Sequence, residues 1–233
     1  MFSMSLRPFF VLILAIGFRP FAFASEQPPP SPTADLRAWA VEQMPGGKVA
    51  TEAGALVITD TAGSTVWLRE KLTAPVVISY EATVVVRGGS QDRLSDLNCF
   101  WMANDPRSPS LPPFTPARMR SGTFSDYDSL FTYYVGYGGN DNTTTRFRRY
   151  DGTAARPLLP AHDLRDKKFL LEPNHPYRIE LTALPDGTVQ FRRDGELIFD
   201  YRDPTPLIGG WFALRTVKSH LVIRDLRITH PAP

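Results

Sequence analysis

Cysteine is almost absent from this chain: its 233 residues include only Cys99. One cysteine excludes an intrachain disulfide, so a fold outside the reducing cytosol would need a core large enough to hold without cross-links. No cysteine follows the apolar N-terminal run, which argues against a lipoprotein. No base lies near Cys99 in sequence, so we expect it to be a buried small hydrophobe and not a nucleophile.

Linear signatures of metal and nucleotide chemistry are missing as well. Neither H-x-H nor H-E-x-x-H occurs, and no carboxylates cluster, so we expect no transition-metal site. The G-x-S-x-G and G-x-G-x-x-G motifs are absent too. No cofactor is therefore expected. Calcium alone stays open, because Asp and backbone carbonyls in loops can bind it without a linear motif.

The chain has little excess charge. Its formal net charge is +2, and the one dense basic run is Arg146 to Arg149. Nucleic-acid binders carry extended basic patches, so we expect no nucleic-acid partner.

The N-terminal residues have the order of a secretory signal. Arg7 precedes the apolar run Phe9 to Phe18, and Ala22-Phe23-Ala24 supplies small residues at the cleavage positions. This order predicts a signal peptide over residues 1–24 and a secreted or periplasmic protein. The run is too short to span a bilayer, so no membrane span is expected after cleavage. The alternative is an uncleaved membrane anchor.

Two further regions follow. Residues 25–37 begin with SEQPPPSPT, which is rich in proline and lacks apolar periodicity, so it predicts a flexible or polyproline-like lead-in. Residues 38–233 contain short alternating apolar runs separated by glycine and proline, which predict one all-β domain.

Alternation is clearest over Val76 to Arg87. Ile78, Tyr80, Ala82, Val84 and Val86 share one face, which predicts a long strand with that face in a core. Pro185-Asp186-Gly187 and Asp194-Gly195 predict turns that join three antiparallel strands. Leu221 and Ile223 alternate in one register, whereas Leu226 and Ile228 alternate in the other. A β-bulge near Arg224-Asp225 would return all four side chains to the same face. Many strands without βαβ alternation predict a sandwich or a closed sheet.

The richest candidate site is a hairpin, FTYYVGYGGNDNTTTRFRRYDG, over Phe131 to Gly152. Gly138-Gly139-Asn140-Asp141 predicts its turn. Aromatic faces stack on sugar C–H faces, amides bond hydroxyls, and arginine pairs with carboxylates, so this composition suits acidic sugar recognition. The alternative is an ordinary hairpin with core tyrosines. The candidate binding residues on this hairpin are Tyr133, Asn140, Asn142, Arg146, Arg148 and Tyr150.

Candidates also lie outside the hairpin. Asn98 alternates with Trp101 in the run Leu97 to Ala103, which places a polar group on a sheet face and Trp101 in the core. Arg215 and His220 follow the aromatic run Gly209 to Leu214; Arg215 is a binding candidate, and His220 is a catalytic one although a lone histidine is usually structural. The long polar segments Asp105 to Ser129 and Asp151 to Pro176 are the expected positions of binding loops.

Three runs carry a resemblance to a known group. Trp211 to Ile228 (WFALRTVKSHLVIRDLRI) resembles the closing strands of secreted bacterial proteins with a concanavalin A-like lectin/glucanase jelly roll. NCFWMANDP from Asn98 and YYVGYGGNDNTTTRFRRYDG from Tyr133 are similar to a family of unknown function in that superfamily. The resemblance covers most of residues 76–228. It implies a two-sheet antiparallel jelly-roll sandwich and an association with degradation of uronate-containing polysaccharides, but it carries over no catalytic residue.

Three functional hypotheses follow. The first is a lyase on acidic polysaccharide: Tyr134 or Tyr137 with His220 would supply base and acid, while Arg146 or Arg148 with Asn140 would hold the carboxylate. The second is a non-catalytic carbohydrate-binding protein, favoured if His220 and the tyrosines share no cleft. The third is a glycoside hydrolase or another sugar-modifying enzyme, weakened because the E-x-D-x-E triplet of jelly-roll glucanases is absent. The partner in each case is a polysaccharide or oligosaccharide.

Overall fold

The computed structural model describes residues 31–232, so the predicted signal peptide and residues 25–30 lie outside the described part. Within residues 31–232 the fold is built from fourteen strands. In chain order these are β1 Trp39–Gln43, β2 Lys48–Glu52, β3 Ala55–Thr59, β4 Ser64–Thr73, β5 Val76–Val84, β6 Leu97–Asn104, β7 Phe131–Gly138, β8 Thr144–Asp151, β9 Asp163–Leu164, β10 Pro176–Ala183, β11 Thr188–Arg193, β12 Glu196–Arg202, β13 Gly209–Thr216 and β14 His220–Thr229.

Helical structure is limited to single turns in the described chain. One is a helical segment, Gly139–Asn142, between β7 and β8. The others are 3₁₀ turns at Pro32–Ala34, Leu36–Ala38, Pro116–Arg118, Phe124–Tyr127, Pro160–His162 and Lys167–Phe169. None of the described helices is long and apolar enough to cross a membrane.

Local sequence explains the strands that were predicted. β5 alternates buried and half-buried residues as expected, but it ends at Val84, before the predicted Arg87. It ends there because the Asn174 side chain bonds both the N–H and the carbonyl of Val86. Asp194 and Gly195 both have positive φ, +51° and +83°, the geometry of a tight hairpin turn between β11 and β12.

The predicted bulge is present in β14. Its register against β5 shifts between Arg224 and Arg227, and Asp225 has a φ of +51°. The extra residue returns Leu226 to the buried face that Leu221 and Ile223 occupy.

The strands form two antiparallel sheets of seven within the described residues. The first sheet has the order β1-β4-β13-β6-β7-β8-β9, and the second has the order β12-β11-β10-β5-β14-β3-β2. Their facing sides make the inter-sheet core, where Tyr137 of the first sheet meets Tyr177 of the second at 5.2 Å between ring centroids. The fold is therefore the predicted all-β, two-sheet jelly-roll sandwich. Trp101 and Cys99 are buried in this core, as expected, and burial raises the pKa of the Cys99 thiol to about 12.

Residues 105–130, which we call the covering segment, lie across the outer face of the first sheet. Phe114, Tyr127 and Leu130 of this segment pack on outward-facing sheet aromatics to form a second, outer core. The Phe100 ring is central to it, with centroids 5.0 Å from Tyr134 and 5.6 Å from Tyr127. The first sheet is thus buried on both faces over much of its area.

The described end of the predicted lead-in, residues 31–37, makes hydrogen bonds with the sandwich. The Ser31 hydroxyl donates to the Leu226 carbonyl, and the Thr33 hydroxyl donates to the Gly54 carbonyl, both within 3.1 Å. The Trp39 indole also donates to the Pro32 carbonyl at 2.9 Å. These bonds hold Pro32 in a 3₁₀ turn against the second sheet, which periodicity could not indicate.

Candidate functional site

A row of polar residues crosses the outer face of the first sheet. Residues directly opposite each other in antiparallel strands project to the same face, so their pairing aligns their side chains. We call this set the polar row; its members, one from each strand in sheet order, are Glu42, Thr65, Arg215, Asn98, Gly136, Arg146 and Asp163. Beside it runs a more apolar row, which in sheet order contains Ala40, Trp67, Ala213, Phe100, Tyr134 and Arg148.

The covering segment closes the Glu42 end of the polar row. Three donors meet the buried Glu42 carboxylate: the Trp67 indole at 2.8 Å, the Tyr127 hydroxyl at 3.0 Å and the Arg120 backbone N–H at 2.9 Å. Burial raises the pKa of Glu42, and these donors and the Arg120 charge offset part of that effect. Glu42 therefore anchors the segment and is shielded from solvent.

Arg215 and Asn98 lie under the same cover. The Arg215 side chain is 1% exposed, and its guanidinium stacks between the rings of Phe124 and Tyr127 at 4.7 and 4.9 Å. It donates to the Thr65 hydroxyl and the Gly122 carbonyl. Asn98 is also buried and donates to Asp96 at 3.2 Å. Neither residue reaches solvent, so the prediction that they contact substrate from an open face is wrong for this arrangement of the chain.

The other end of the polar row is open. There the sheet forms the floor of a cleft of about 570 Å³, which we call the arginine cleft. Tyr134, Gly136, Thr144, Arg146 and Arg148 make the floor. Its rim comes from separate segments: Arg93, Asp96, Phe124, Asn140, Asp141, Ala154, Ala155, Arg156 and Val217. Four of the predicted site residues, Tyr134, Asn140, Arg146 and Arg148, therefore meet in one cleft.

Three of the four cleft arginines already have carboxylate partners. Arg146 binds Asp163 through two nitrogens, at 2.8 and 3.2 Å. Arg93 bridges Asp96 and Asp141 at 2.7 and 2.6 Å, and Arg156 lies 3.2 Å from Asp128. Carboxylates of the same chain therefore already balance the charges of these three guanidinium groups.

Arg148 is the exception. No carboxylate of residues 31–232 lies within ion-pair distance of it, and its one hydrogen bond goes to the Arg156 backbone carbonyl. Burial lowers the pKa of Arg148, and the neighbouring charges of Arg146 and Arg156 lower it further. This guanidinium is a half-buried cation next to two others, with donors left for an anion.

Tyr134 lies flat in the floor of the cleft. A Cβ at Gly136 would come within 2.9 Å of the Tyr134 hydroxyl oxygen, so glycine leaves the space that the ring occupies. No described residue hydrogen-bonds to that hydroxyl. Burial raises the pKa of Tyr134 well above its usual value, so the phenol is neutral and can donate or accept a hydrogen bond.

The turn beside the cleft is left-handed. Asn140, Asp141 and Asn142 have φ of +53°, +57° and +58°, so the turn extends past the predicted Gly138 to Asp141 and β8 starts at Thr144. Asn140 lines the cleft and donates to the Thr144 hydroxyl at 3.2 Å. Asn142 points away from the cleft and bonds both backbone groups of Leu171. The prediction that Asn142 contacts a ligand is not supported by this placement, because both of its amide atoms are engaged.

The remaining hairpin tyrosines do not reach the cleft. Tyr133 and Tyr137 point into the inter-sheet core, where the Tyr133 hydroxyl donates to Asp203 at 2.7 Å and the Tyr137 hydroxyl to the Leu170 carbonyl at 3.4 Å. Tyr150 is fully buried in the outer core. Their prediction as substrate contacts fails because alternation on β7 separates Tyr133 and Tyr137 from Tyr134, and because the covering segment buries Tyr150.

His220 lies in the second sheet, at the start of β14. Its Nδ1 is 3.1 Å from an Asp92 oxygen, and the side chain does not line the cleft. The predicted acid–base pairing of His220 with Tyr134 or Tyr137 is therefore not assembled: each of the three residues occupies a different environment.

Sequence reasoning assigned no role to four important rim residues. Arg93 and Asp96 lie in the loop before β6, Phe124 in the covering segment and Arg156 after β8. A signal existed in Arg93-Leu94-Ser95-Asp96, a charged run next to a predicted strand. Its spatial relation to the hairpin depended on sheet order, which local pattern does not contain.

Acidic and histidine side chains of the described chain form no group of three that could hold a metal ion. At the cleft rim the Arg93 guanidinium lies between Asp96 and Asp141, where it supplies the positive charge for both carboxylates.

Comparisons with known proteins agree with the architecture. A Bacillus subtilis protein of unknown function with a galectin-like fold is 19% identical and has a TM-score of 0.66, over 86% of this chain and 94% of that one. The carbohydrate-binding module CBM66 of Bacillus subtilis is 12% identical, with a TM-score of 0.52 over 82% and 94%. The exoplasmic/lumenal domain of VIP36, solved with Ca²⁺ and Man3GlcNAc, is 11% identical, with a TM-score of 0.54 over 85% and 86%. At these identities the likeness shows the fold alone.

A family model also matches the chain. Its description is "Domain of unknown function (DUF6250)", and the match covers residues 58–226. No curated protein matches the chain.

Proposed function

We propose that this chain, which belongs to the DUF6250 family of unknown function, is a secreted protein. From the geometry of the arginine cleft we propose that it binds an acidic, uronate-containing glycan there. The single observation that carries this proposal is the Arg148 guanidinium, which has no carboxylate partner among residues 31–232 although Arg146 and Arg156 flank it. A sugar carboxylate placed there would relieve the repulsion and accept two parallel hydrogen bonds.

The rest of the cleft supplies groups suited to a sugar. Tyr134 offers a free hydroxyl, and Asn140 offers an amide at the rim. Phe124 contributes an aromatic side chain to the wall. Two proteins of similar fold also bind carbohydrate, namely the carbohydrate-binding module CBM66 and the VIP36 domain in its Man3GlcNAc-bound form.

The test is calorimetric titration of the mature protein with a uronate oligosaccharide. Arg148→Ala should weaken binding roughly 10- to 100-fold, the equivalent of losing hydrogen bonds worth about 1.5–3 kcal/mol to a charged group. Arg148→Lys should fall between wild type and Arg148→Ala, since lysine keeps the charge but loses the planar fork. Arg178→Ala is the matched control, because Arg178 is an exposed arginine on β10 of the second sheet.

Equal affinities of wild type and Arg148→Ala would place the glycan elsewhere. Thermal melting of each variant distinguishes this outcome from misfolding. Arg148 makes only one hydrogen bond, to a backbone carbonyl, so its truncation should leave the melting temperature nearly unchanged.

A second candidate function is lyase activity on the same glycan. It is favoured by the free Tyr134 hydroxyl, which lies on the same cleft floor as Arg148 and could protonate a leaving oxygen. Against it, the raised pKa of Tyr134 disfavours the phenolate, and no histidine lines the cleft to act as the base. Binding alone therefore fits the geometry better.

Ultraviolet absorbance separates the two functions. Incubation with a panel of uronate polysaccharides should give no unsaturated product if the protein only binds. Product formation that is abolished by Tyr134→Phe would establish the lyase instead.

A further inference from the structure

A second cavity lies on the opposite side of β8 from the arginine cleft. We call it the side pocket; its volume is about 520 Å³, within the range of about 300–1,000 Å³ typical of small-molecule sites. Side chains alternate along a strand, so Arg146 and Arg148 face the arginine cleft, whereas Phe147, Arg149 and Asp151 face the side pocket. The opposite wall comes from Tyr201 at the end of β12 and from the Asp203 to Thr205 loop.

His162 lines this pocket without a polar partner. It is only 9% exposed, and no atom of residues 31–232 hydrogen-bonds to its ring. Three aromatic rings surround it edge-on, namely Phe147, Phe199 and Tyr201, with centroids 5.0 to 5.8 Å away. Burial lowers the pKa of His162, which favours the neutral ring with one donor and one acceptor. Since the ring lies in the pocket wall and neither nitrogen bonds to residues 31–232, its position points to a ligand that can bond to both.

The charges at the mouth disfavour an anionic ligand. Arg149 is neutralised by Asp203, at 2.9 Å. Asp151 adds a second carboxylate, and one of its oxygens accepts bonds from Thr153. The net charge of Arg149, Asp151 and Asp203 is therefore −1, which disfavours an anion. The carboxylates can accept hydrogen bonds from the hydroxyl groups of a neutral ligand.

The apolar part of the wall suits a ring with a C–H face. The Phe131 ring is partly exposed, and Tyr201 is half-buried with its side chain in the pocket. We propose that the side pocket is a second carbohydrate site that takes a neutral pyranose. The ring stacks on Tyr201 and Phe131, and its hydroxyls bond His162 and Asp151.

This site does not depend on the function proposed for the arginine cleft. The two cavities have no lining residue in common, although β8 and the segment after it contribute to both. In that segment Ala154, Ala155 and Arg156 lie on the cleft side, and Pro157, Leu159 and His162 lie on the pocket side. A glycan containing both uronate and neutral residues could occupy either site alone.

The experiment is NMR titration of the mature protein with a panel of neutral sugars: glucose, galactose, mannose, rhamnose and their methyl glycosides. At least one should produce saturable shifts of the His162 ring and Tyr201 signals at millimolar concentration. Two variants test the site. His162→Phe keeps a packed ring but removes both nitrogens, and Leu159→Trp fills the mouth from a position that is 51% exposed. Each should weaken binding at least tenfold.

Arg148→Ala is the control and should leave these shifts unchanged, because Arg148 lines the arginine cleft and not the side pocket. A negative result at one of the two sites therefore does not affect the test of the other. Absence of saturable shifts with every sugar would overturn the proposal. It would also be overturned by sugar binding that persists in both His162→Phe and Leu159→Trp. Folding of each variant is checked by its thermal melting.

Discussion

Asp105 illustrates how single residues hold the covering segment in place. Its carboxylate is fully buried and accepts bonds from Arg120 at 2.7 Å and from Arg107 at 2.6 Å. Burial by itself would raise the pKa of Asp105. The hydrogen bonds from Arg107 and the charges of Arg120 and Arg107 outweigh burial and lower that pKa to about 2.

Asp105→Asn should therefore destabilise the protein in a pH-dependent way. The buried Arg120 guanidinium would lose its carboxylate, at a cost of about 3–5 kcal/mol. The folded-state pKa lies below that of the unfolded chain, so the stabilisation is complete above about pH 4 and is lost as the pH falls toward 2. Denaturant unfolding from pH 7 to pH 2.5 should show the gap between wild type and variant shrinking below pH 4.

The exposed ion pair of Asp186 with Arg202 provides the comparison. Asp186→Asn should cost far less than Asp105→Asn at pH 7, because solvent screens that exposed pair. A gap for Asp105→Asn that stayed constant down to pH 2.5 would show that the carboxylate charge is not what stabilises the segment.

For individual residues, the sequence predicts on which face of a strand each side chain lies. Alternation along β7 separates Tyr133, Val135 and Tyr137 from Tyr134, and alternation along β8 puts Arg146 and Arg148 on one face, as the structure has them. The error was to treat tyrosines from both faces as one binding surface. Which face is covered depends on residues 105–130, and a list of alternating residues does not contain that information.

At the scale of elements, the turn between β7 and β8 has three consecutive residues other than glycine with positive φ, namely Asn140, Asp141 and Asn142. Asn142 has a left-handed conformation and joins the turn to the segment before β10: its amide donates to the Leu171 carbonyl at 2.9 Å, and its oxygen accepts from the Leu171 N–H at 2.8 Å. Asparagine tolerates this conformation better than residues without a short polar side chain.

Two substitutions separate the backbone and side-chain contributions of Asn142. Asn142→Gly loses both hydrogen bonds but accepts positive φ, whereas Asn142→Ala loses the bonds and adds a conformational cost. We expect both to lower the free energy of unfolding, with Ala about 1 kcal/mol below Gly, as measured by urea denaturation. Equal stabilities would mean that the turn relaxes out of the left-handed region when the side chain is lost.

Hairpins were the elements that sequence predicted best. The Asp-Gly turns and the bulge at Asp225 are local features, and each was found where composition placed it. The covering segment was predicted only as a long polar loop. The segment is rich in proline, serine and arginine, so its sequence does not indicate that Phe114, Phe124 and Tyr127 are packed against a sheet. Their partners lie on strands that are distant in sequence.

At the scale of the whole molecule, the site depends on pairings between distant strands. Arg215 lies opposite Asn98, and Asn98 lies opposite Gly136, so β13, β6 and β7 are neighbours in the sheet. This strand order creates the polar row and brings Arg93, Arg148 and Arg156 around one cleft. No local pattern specifies this strand order, which is why the sequence predicted the sandwich and the hairpin side of the cleft but not the rim residues from other segments.

The charge distribution of the whole molecule leads to a last prediction, on the salt dependence of binding. The formal net charge is only +2, so long-range attraction of an anion is weak, and binding should depend on one local contact, with Arg148. The Debye length falls from roughly 10 Å at 0.1 M salt to about 3 Å at 1 M, but a half-buried pair is screened incompletely. We therefore expect uronate affinity to fall roughly two- to tenfold between 50 and 500 mM sodium chloride, measured by calorimetric titration. The residual affinity of Arg148→Ala and the binding of neutral sugars to the side pocket should both stay constant over that range. A salt dependence as steep in Arg148→Ala as in wild type would mean that another cation holds the glycan carboxylate.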